Sequence, residues 1–277
     1  MYEQQEFAQA ASVMEDALLN RDGLLKNEHE FMQMMISKLG TCLSSPEEEV
    51  VVQDEPGAEM FFIAKGDCVV NLSDAGGVEH RCIRLLVEGD HFGEISLVYR
   101  CGRTATVVSR NYNTMARLSR GNWREVVNEH PKYLELLKKH LYRYNDVKKQ
   151  FLKQLVCRVF YFAEGLTQDM FHDLIYKLVP KQYEKGQILL KEYSNANSLL
   201  FVEYGVVEVF FELEGNEFIV DNLYPGSVIN YRSFFMEDLM HVTMRCKENT
   251  RILELNKKTF EHMREENPAF ETRILMH

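Results

Sequence analysis

The 277-residue sequence has no run approaching the roughly 20 uninterrupted apolar residues that a membrane-spanning helix requires. Its opening, MYEQQEFAQA, lacks the basic n-region and apolar h-region of a secretory signal, so the expected setting is intracellular. The six cysteines (Cys42, Cys68, Cys82, Cys101, Cys157 and Cys246) form no C-x-x-C pair and have no histidine nearby at ligand spacing. Neither a zinc site nor a disulfide framework is indicated, and reduced thiols are expected. Also missing are G-x-x-x-x-G-K-[ST], H-E-x-x-H and G-x-S-x-G, and none of the nine histidines stands in an H-x-H pair. The sequence therefore reads as non-catalytic and metal-free. A basic stripe is absent too, with 32 Lys and Arg against 42 Asp and Glu. Residues 1–60 hold 13 acids and 3 bases, which accounts for the whole net charge of −10 and leaves an electroneutral body. Nucleic acid is excluded as a primary partner on that ground.

What is present is 45% hydrophobic residues in a length that suits one or two domains. The sequence repeats itself once. MFFIAKGDCVV (60–70) resembles LLFVEYGVVEV (199–209), with Gly66 on Gly205. LLVEGDHFGEISL (85–97) lies over NLYPGSVINYRSF (222–234), and the register runs on to NEHP (128–131) against EENP (265–268). Within each copy short β-branched runs such as EVVVQ, CVVNL, RCIRLL and TATVV alternate with Gly, Asp and Pro, the signature of an antiparallel roll. Helical spacing brackets them: Phe31, Met34, Met35, Lys38 and Leu39 before the first copy, and an apolar stripe of Leu134, Leu137, Leu141, Tyr144, Val147, Phe151 and Leu155 after it. The expected fold is mainly β with flanking helices, two jelly-roll-like β-rolls in tandem joined by a long helix. The boundaries read as an acidic helical segment 1–30, a first roll 31–131, a helical linker 132–169 and a second roll 170–277.

The segment FGEISLVYRCGRTATV (92–107) gathers the chemistry. Gly93 allows close backbone approach at the start of a helical turn whose free N–H groups suit an anion such as phosphate. Glu94 is a carboxylate able to accept from sugar hydroxyls, and Arg103 supplies a guanidinium fork for a phosphate. The pattern F-G-E-[I/L]-x-L…R-T-A-T-V resembles the phosphate-binding cassette of cyclic nucleotide-binding domains, the β-rolls of cAMP- and cGMP-regulated kinases, channels and bacterial regulators. P-x-x-x-V-V at 46–51, the strand 60–66 and W-x-E-V-V-x-E-H-P from Trp123 extend the resemblance over most of the chain. It implies that Gly93, Ile95 and Ser96 offer backbone or hydroxyl donors to a cyclic phosphate. In the same pattern Glu94 holds the ribose 2′-OH, Arg103 neutralises the phosphate, and Thr104 adds a hydroxyl without choosing between cAMP and cGMP. Val70, Leu72, Leu86, Phe92, Tyr99 and Arg100 are candidate pocket residues, and Tyr133, Leu136, Leu137, His140 and Leu141 candidate lid residues on the helix that closes over the base in this family.

The second copy departs from the pattern: in register, Asn230 replaces Gly93, Tyr231 replaces Glu94 and Met240, beside His241, replaces Arg103. Loss of counter-charge and ribose acceptor marks it as degenerate, with Arg232 and Arg245 as candidate substitutes. The linker is rich in lysine (Lys132, Lys138, Lys139, Lys148, Lys149, Lys153), which suits a calmodulin target, a membrane-surface element or a solvated helix docked on the acidic first 60 residues. A cupin would need its H-x-H ligands, and a bacterial-type transcription regulator would need a helix-turn-helix after the roll; neither stands here. The tandem layout resembles that of a cAMP-dependent kinase regulatory subunit, which with a scaffold carrying a vestigial site is the alternative reading, but residues 1–30 carry only Arg21 and Lys26 as bases, without the R-R-x-[A/S] pseudosubstrate of such a subunit. The motifs are most similar to the hyperpolarisation-activated and cyclic nucleotide-gated channel group. That implies a cytoplasmic sensor, the cytosolic part of a longer membrane protein, whose partners are a cyclic nucleotide, an effector protein or channel pore domain and, in one reading, a second copy of itself.

Overall fold

The computed structural model describes residues 29–73, 80–142, 147–159, 166–195, 197–236 and 238–266. The expected helical segment 1–30 lies, but for its last two residues, outside them. Two compact units divide the chain between Tyr144 and Asn145.

The first unit opens with α1 (His29–Ser37) and continues through β1 (Gly40–Ser44), β2 (Glu49–Val51), β3 (Glu59–Lys65), β4 (Asp67–Ser73), β5 (His80–Val87) and β6 (His91–Phe92). The short α2 (Glu94–Tyr99) follows, then β7 (Thr106–Ser109), β8 (Asn113–Ser119), α3 (Arg120–Glu129) and α4 (Lys132–Tyr142). Two four-stranded antiparallel sheets, ordered β1-β8-β3-β6 and β2-β7-β4-β5, form the roll.

Strand β3 shows why the sequence folds this way. Successive side chains point to opposite faces, so one uninterrupted apolar run serves two cores. Phe61 and Ile63 pack inside the roll with Val51, Cys68, Leu86, Phe92, Val107 and Met115. Met60, Phe62 and Ala64 face the helices, against Phe31, Met35, Leu97, Leu118, Trp123, Val126 and Leu137.

The second unit repeats the plan. After α5 (Val147–Val156) and α6 (Gln168–Lys177) come β9 (Val179–Tyr183), β10 (Ile188–Leu190), β11 (Ser198–Tyr204), β12 (Val207–Leu213), β13 (Asn216–Leu223), β14 (Val228–Ile229), α7 (Tyr231–Met236), β15 (Thr243–Cys246), β16 (Thr250–Asn256) and α8 (Lys257–Glu266). Its sheets, β9-β16-β11-β14 and β10-β15-β12-β13, reproduce the strand order of the first roll. Leu200 and Val202 line the interior while Leu199 and Phe201 face α5, α6 and α8.

The helical stretch read from Asn122 onward is segmented. Pro131 lacks an N–H and pushes His130 out of the helical region, to φ −131° and ψ 64°, so α3 ends there and α4 starts afresh. Tyr144, expected on the apolar stripe, lies outside the described residues. Among the described residues no helix is long and apolar enough to cross a membrane.

Candidate functional site

The site is built where three backbone segments of the first roll meet. The loop between β2 and β3 runs beside the one after α2: Asp54 N–H donates to the Arg103 carbonyl at 2.8 Å and Arg103 N–H to the Glu55 carbonyl at 2.8 Å. Gly93 sits at φ 86°, in the left-handed region that favours glycine, and N-caps α2 without a side chain of its own. A Cβ on Gly93 would come within 2.6 Å of Arg103 Nη1 and 2.9 Å of the Glu59 carbonyl oxygen. Only glycine therefore lets Arg103 lie under the start of α2.

Arg103 is 8% exposed. Its Nη1 donates to the carbonyls of Glu59 at 2.6 Å and Gly93 at 3.3 Å. Nη2 engages none of the described residues. Backbone carbonyls thus hold one arm of the fork in place and leave the other to meet an anion. Burial pushes the guanidinium below its ordinary pKa while Glu59 and Glu94 push it up, and an arginine stays charged throughout.

Glu94, the first residue of α2, is 4% exposed, and its Oε2 is buried without a hydrogen-bond partner. An orphaned buried carboxylate oxygen costs about 1–3 kcal/mol unless a donor reaches it. A sugar hydroxyl is such a donor. Ser96, 1% exposed, turns its hydroxyl to the Gly102 carbonyl at 3.2 Å, which leaves its backbone as its contribution toward an anion. Ile95 and Thr104 are half-buried on either side of this core.

Of the pocket candidates, Phe92 stacks on Phe61 with ring centroids 5.1 Å apart, and Arg103 lies 6.0 Å from the Phe61 ring centroid. Leu86 and Val70 share that interior, and Leu72 is half-buried further along β4. Tyr99 is buried under Lys138 of α4, and Arg100 is exposed in the left-handed region at φ 55°. The lid candidates Tyr133, Leu136 and Leu137 are not brought to this interior. They pack in the helix-side core, where Tyr133 stacks on Phe31 at 3.4 Å. Leu141 is fully buried and His140 lies 6.1 Å from His91, on the strand leading into the cassette.

Sequence reasoning missed Gly57 and Arg120. A Cβ on Gly57 would meet Arg103 Nε and Ser96 Cβ, both at 2.7 Å, so the loop can pass over the arginine only as glycine. Arg120 Nη2 donates to the Gly57 carbonyl and, at 3.1 Å, to that of Ser96. Both lie outside the contiguous motif, and their roles come from tertiary contact alone.

The second roll keeps the backbone and changes the side chains. Tyr193 N–H donates to the Met240 carbonyl at 2.7 Å and Met240 N–H to the Ser194 carbonyl at 3.2 Å, the same exchange that frames Arg103. Asn230, at φ 69° where Gly93 has 86°, donates its Nδ2 to the Ser198 carbonyl at 3.0 Å. Ser198 is the repeat partner of Glu59, whose carbonyl takes the Arg103 guanidinium in the first roll. An amide therefore fills the arginine's cradle. Met240 has joined the apolar interior, and Tyr231 is 52% exposed where Glu94 is buried. Arg245 is bound by Glu208 at 2.6 Å and Glu217 at 3.0 Å, and exposed Arg232 lies 3.5 Å from Asp238.

A family model, the cyclic nucleotide-binding domain, matches residues 44–130 and again 180–267, together more than half of the chain. The chain belongs to the cyclic nucleotide-binding domain family. Over 101 residues it is 34% identical to potassium/sodium hyperpolarization-activated cyclic nucleotide-gated channel 4 of Oryctolagus cuniculus, a match spanning 36% of this chain and 8% of the channel. Channel 2 of Mus musculus matches at the same identity over 11% of its length. Among solved structures the chain is similar to the regulatory domain of Toxoplasma gondii PKA with cAMP, at 15% identity and TM-score 0.42, covering 97% of this chain and 95% of that one. It is also similar to the regulatory subunit of a cAMP-independent protein kinase A from Trypanosoma cruzi bound to guanosine, at 15% identity and TM-score 0.39, covering 98% and 87%. Two cyclic nucleotide-binding domains in tandem, mainly β with flanking helices, are thus the fold of this chain.

Proposed function

We propose that the chain is a non-catalytic, cytoplasmic sensor of cyclic nucleotide. Its first roll, 31–131, binds cAMP or cGMP without a metal, and the helical segment 132–169 passes the event to an effector as the cytosolic regulatory part of an ion channel. The second roll, 170–277, is a degenerate copy.

The observation that carries this reading is the buried Glu94 Oε2 without a partner, next in sequence to the Gly93 whose carbonyl helps to hold an Arg103 guanidinium anchored on one side only. In this reading the cyclic phosphate lies over Gly93 at the start of α2, against Arg103, and the ribose 2′-OH donates to Glu94. The nucleotide then favours the closed arrangement of cassette and following helix, and the switch is a shift of population between two states. The 34% identity to hyperpolarisation-activated channels supports the channel effector. A kinase regulatory subunit is the second reading, favoured by the tandem of two family matches.

Substituting Arg103→Ala tests the site. Loss of a charge-assisted fork is expected to weaken nucleotide binding by at least about tenfold, or 1.4 kcal/mol, in a competition assay, with Arg103→Lys retaining part of it. Parent-like affinity in the alanine variant would contradict the reading.

A further inference from the structure

We infer that Arg120 is the positioning residue that couples ligand in the first roll to the helices behind it, an inference that rests on the function proposed above. Arg120 is the first residue of α3. Its N–H donates to the Ala58 carbonyl at 2.7 Å, and its Nη2 donates to the Gly57 carbonyl and to the Ser96 carbonyl. One residue thus ties together the β2–β3 loop, the cassette helix α2 and the start of α3.

The other side of Gly57 is Arg103, whose Nε would lie 2.7 Å from a Cβ there. The loop is held between two guanidinium groups, one facing the anion site and one belonging to the outgoing helix. Helix α2 has six residues, so most of its carbonyls lie outside its own hydrogen-bond ladder, and Arg120 supplies the donor for that of Ser96. An anion that draws α2 and Arg103 together moves two of the carbonyls Arg120 holds, and the rigid fork delivers that movement to the first turn of α3. Arg120 Nε is buried without a partner, a penalty that a residue serving packing alone would avoid. The second roll, whose arginine cradle is filled by Asn230, has Lys257 at this position, with the same backbone bond to the Asn197 carbonyl at 2.8 Å. A lysine has no planar fork to hold two carbonyls in fixed directions.

The chain's single tryptophan, Trp123, sits one turn along α3, 6% exposed, in the core with Leu97 of α2 and Leu137 of α4. It reports on this joint. The full chain is titrated with cAMP and with cGMP, occupancy being read by calorimetry and the helix by Trp123 emission, for the parent, Arg120→Gln and Arg120→Lys. The parent is expected to bind with an emission change that tracks occupancy. Arg120→Gln is expected to bind within about threefold of the parent and to lose more than about half of that change, with Arg120→Lys carrying the comparison if the glutamine variant does not fold. An emission change undiminished in the variants at equal occupancy overturns the inference. So does a parent that binds with no emission change, or loss of binding and signal together, which would make Arg120 scaffolding for the site. A parent with no binding heat from either nucleotide overturns the proposed function itself.

Discussion

At the scale of single residues, the first roll's site depends on a glycine, a glutamate and an arginine that exclude one another's alternatives. Gly93 at φ 86° makes room for Arg103, Arg103 is held by the carbonyls of Glu59 and Gly93, and Glu94 is left buried with an oxygen to satisfy. Gly93→Ala combines a left-handed backbone with a Cβ 2.6 Å from Arg103 Nη1 and 2.9 Å from the Glu59 oxygen. It is expected to destabilise the first unit by about 1–3 kcal/mol and to weaken nucleotide binding along with it, measured by urea denaturation and titration. An unchanged denaturation midpoint would show that the loop yields at no cost. The cassette residues were legible in the sequence because they are contiguous and chemically distinctive. Gly57 and Arg120 were not, since a glycine in a loop and an arginine at a helix start carry no signal until the fold sets them against Ser96 and Arg103. Nor could the sequence show that Asn230 would turn its amide to the Ser198 carbonyl, although the replacement of Gly93 by Asn was plain.

At the scale of elements, the strands and the helices that bracket them were readable from β-branched runs and helical spacing, while burial on both faces of a strand came only with the fold. Strand β3 and its repeat β11 are the clearest cases, each a run long enough to bury both faces. The break between α3 and α4 was less so, because the helical spacing read from Asn122 runs on past Pro131 while the missing N–H stops the helix. Helix α6 carries a further consequence. Its His172, 2% exposed, donates from Nδ1 to the Gln168 carbonyl at 2.6 Å. Burial, aided by Lys149, pulls its pKa down from 6.5 to about 4 against that hydrogen bond. The unfolded chain takes up a proton below pH 6.5 that the folded one refuses until about 4, so this stability is complete above pH 6.5 and is lost as pH falls through that window. The loss is roughly 2–3 kcal/mol. Urea midpoints of the parent and His172→Gln at pH 7 and pH 4 should converge toward the acid end, and parallel pH profiles would contradict the assignment.

At the scale of the whole molecule, duplication has produced two rolls of one backbone plan and two different interiors. Strand order, the paired loops and the left-handed positions at Asp54 and Tyr193 are shared. The glycine, carboxylate and guanidinium proposed above to meet an anion and a sugar stand in the first roll and are replaced in the second by an amide, an exposed phenol and a core methionine. Divergence at a few positions is enough because the cradle is small. The asymmetry makes the stoichiometry of binding the most direct test of the account. Calorimetric titration of the full chain with cAMP and then cGMP should give one site per chain at about micromolar affinity or tighter, a binding free energy near −8 kcal/mol. Two sites, or no heat with either nucleotide, would contradict it.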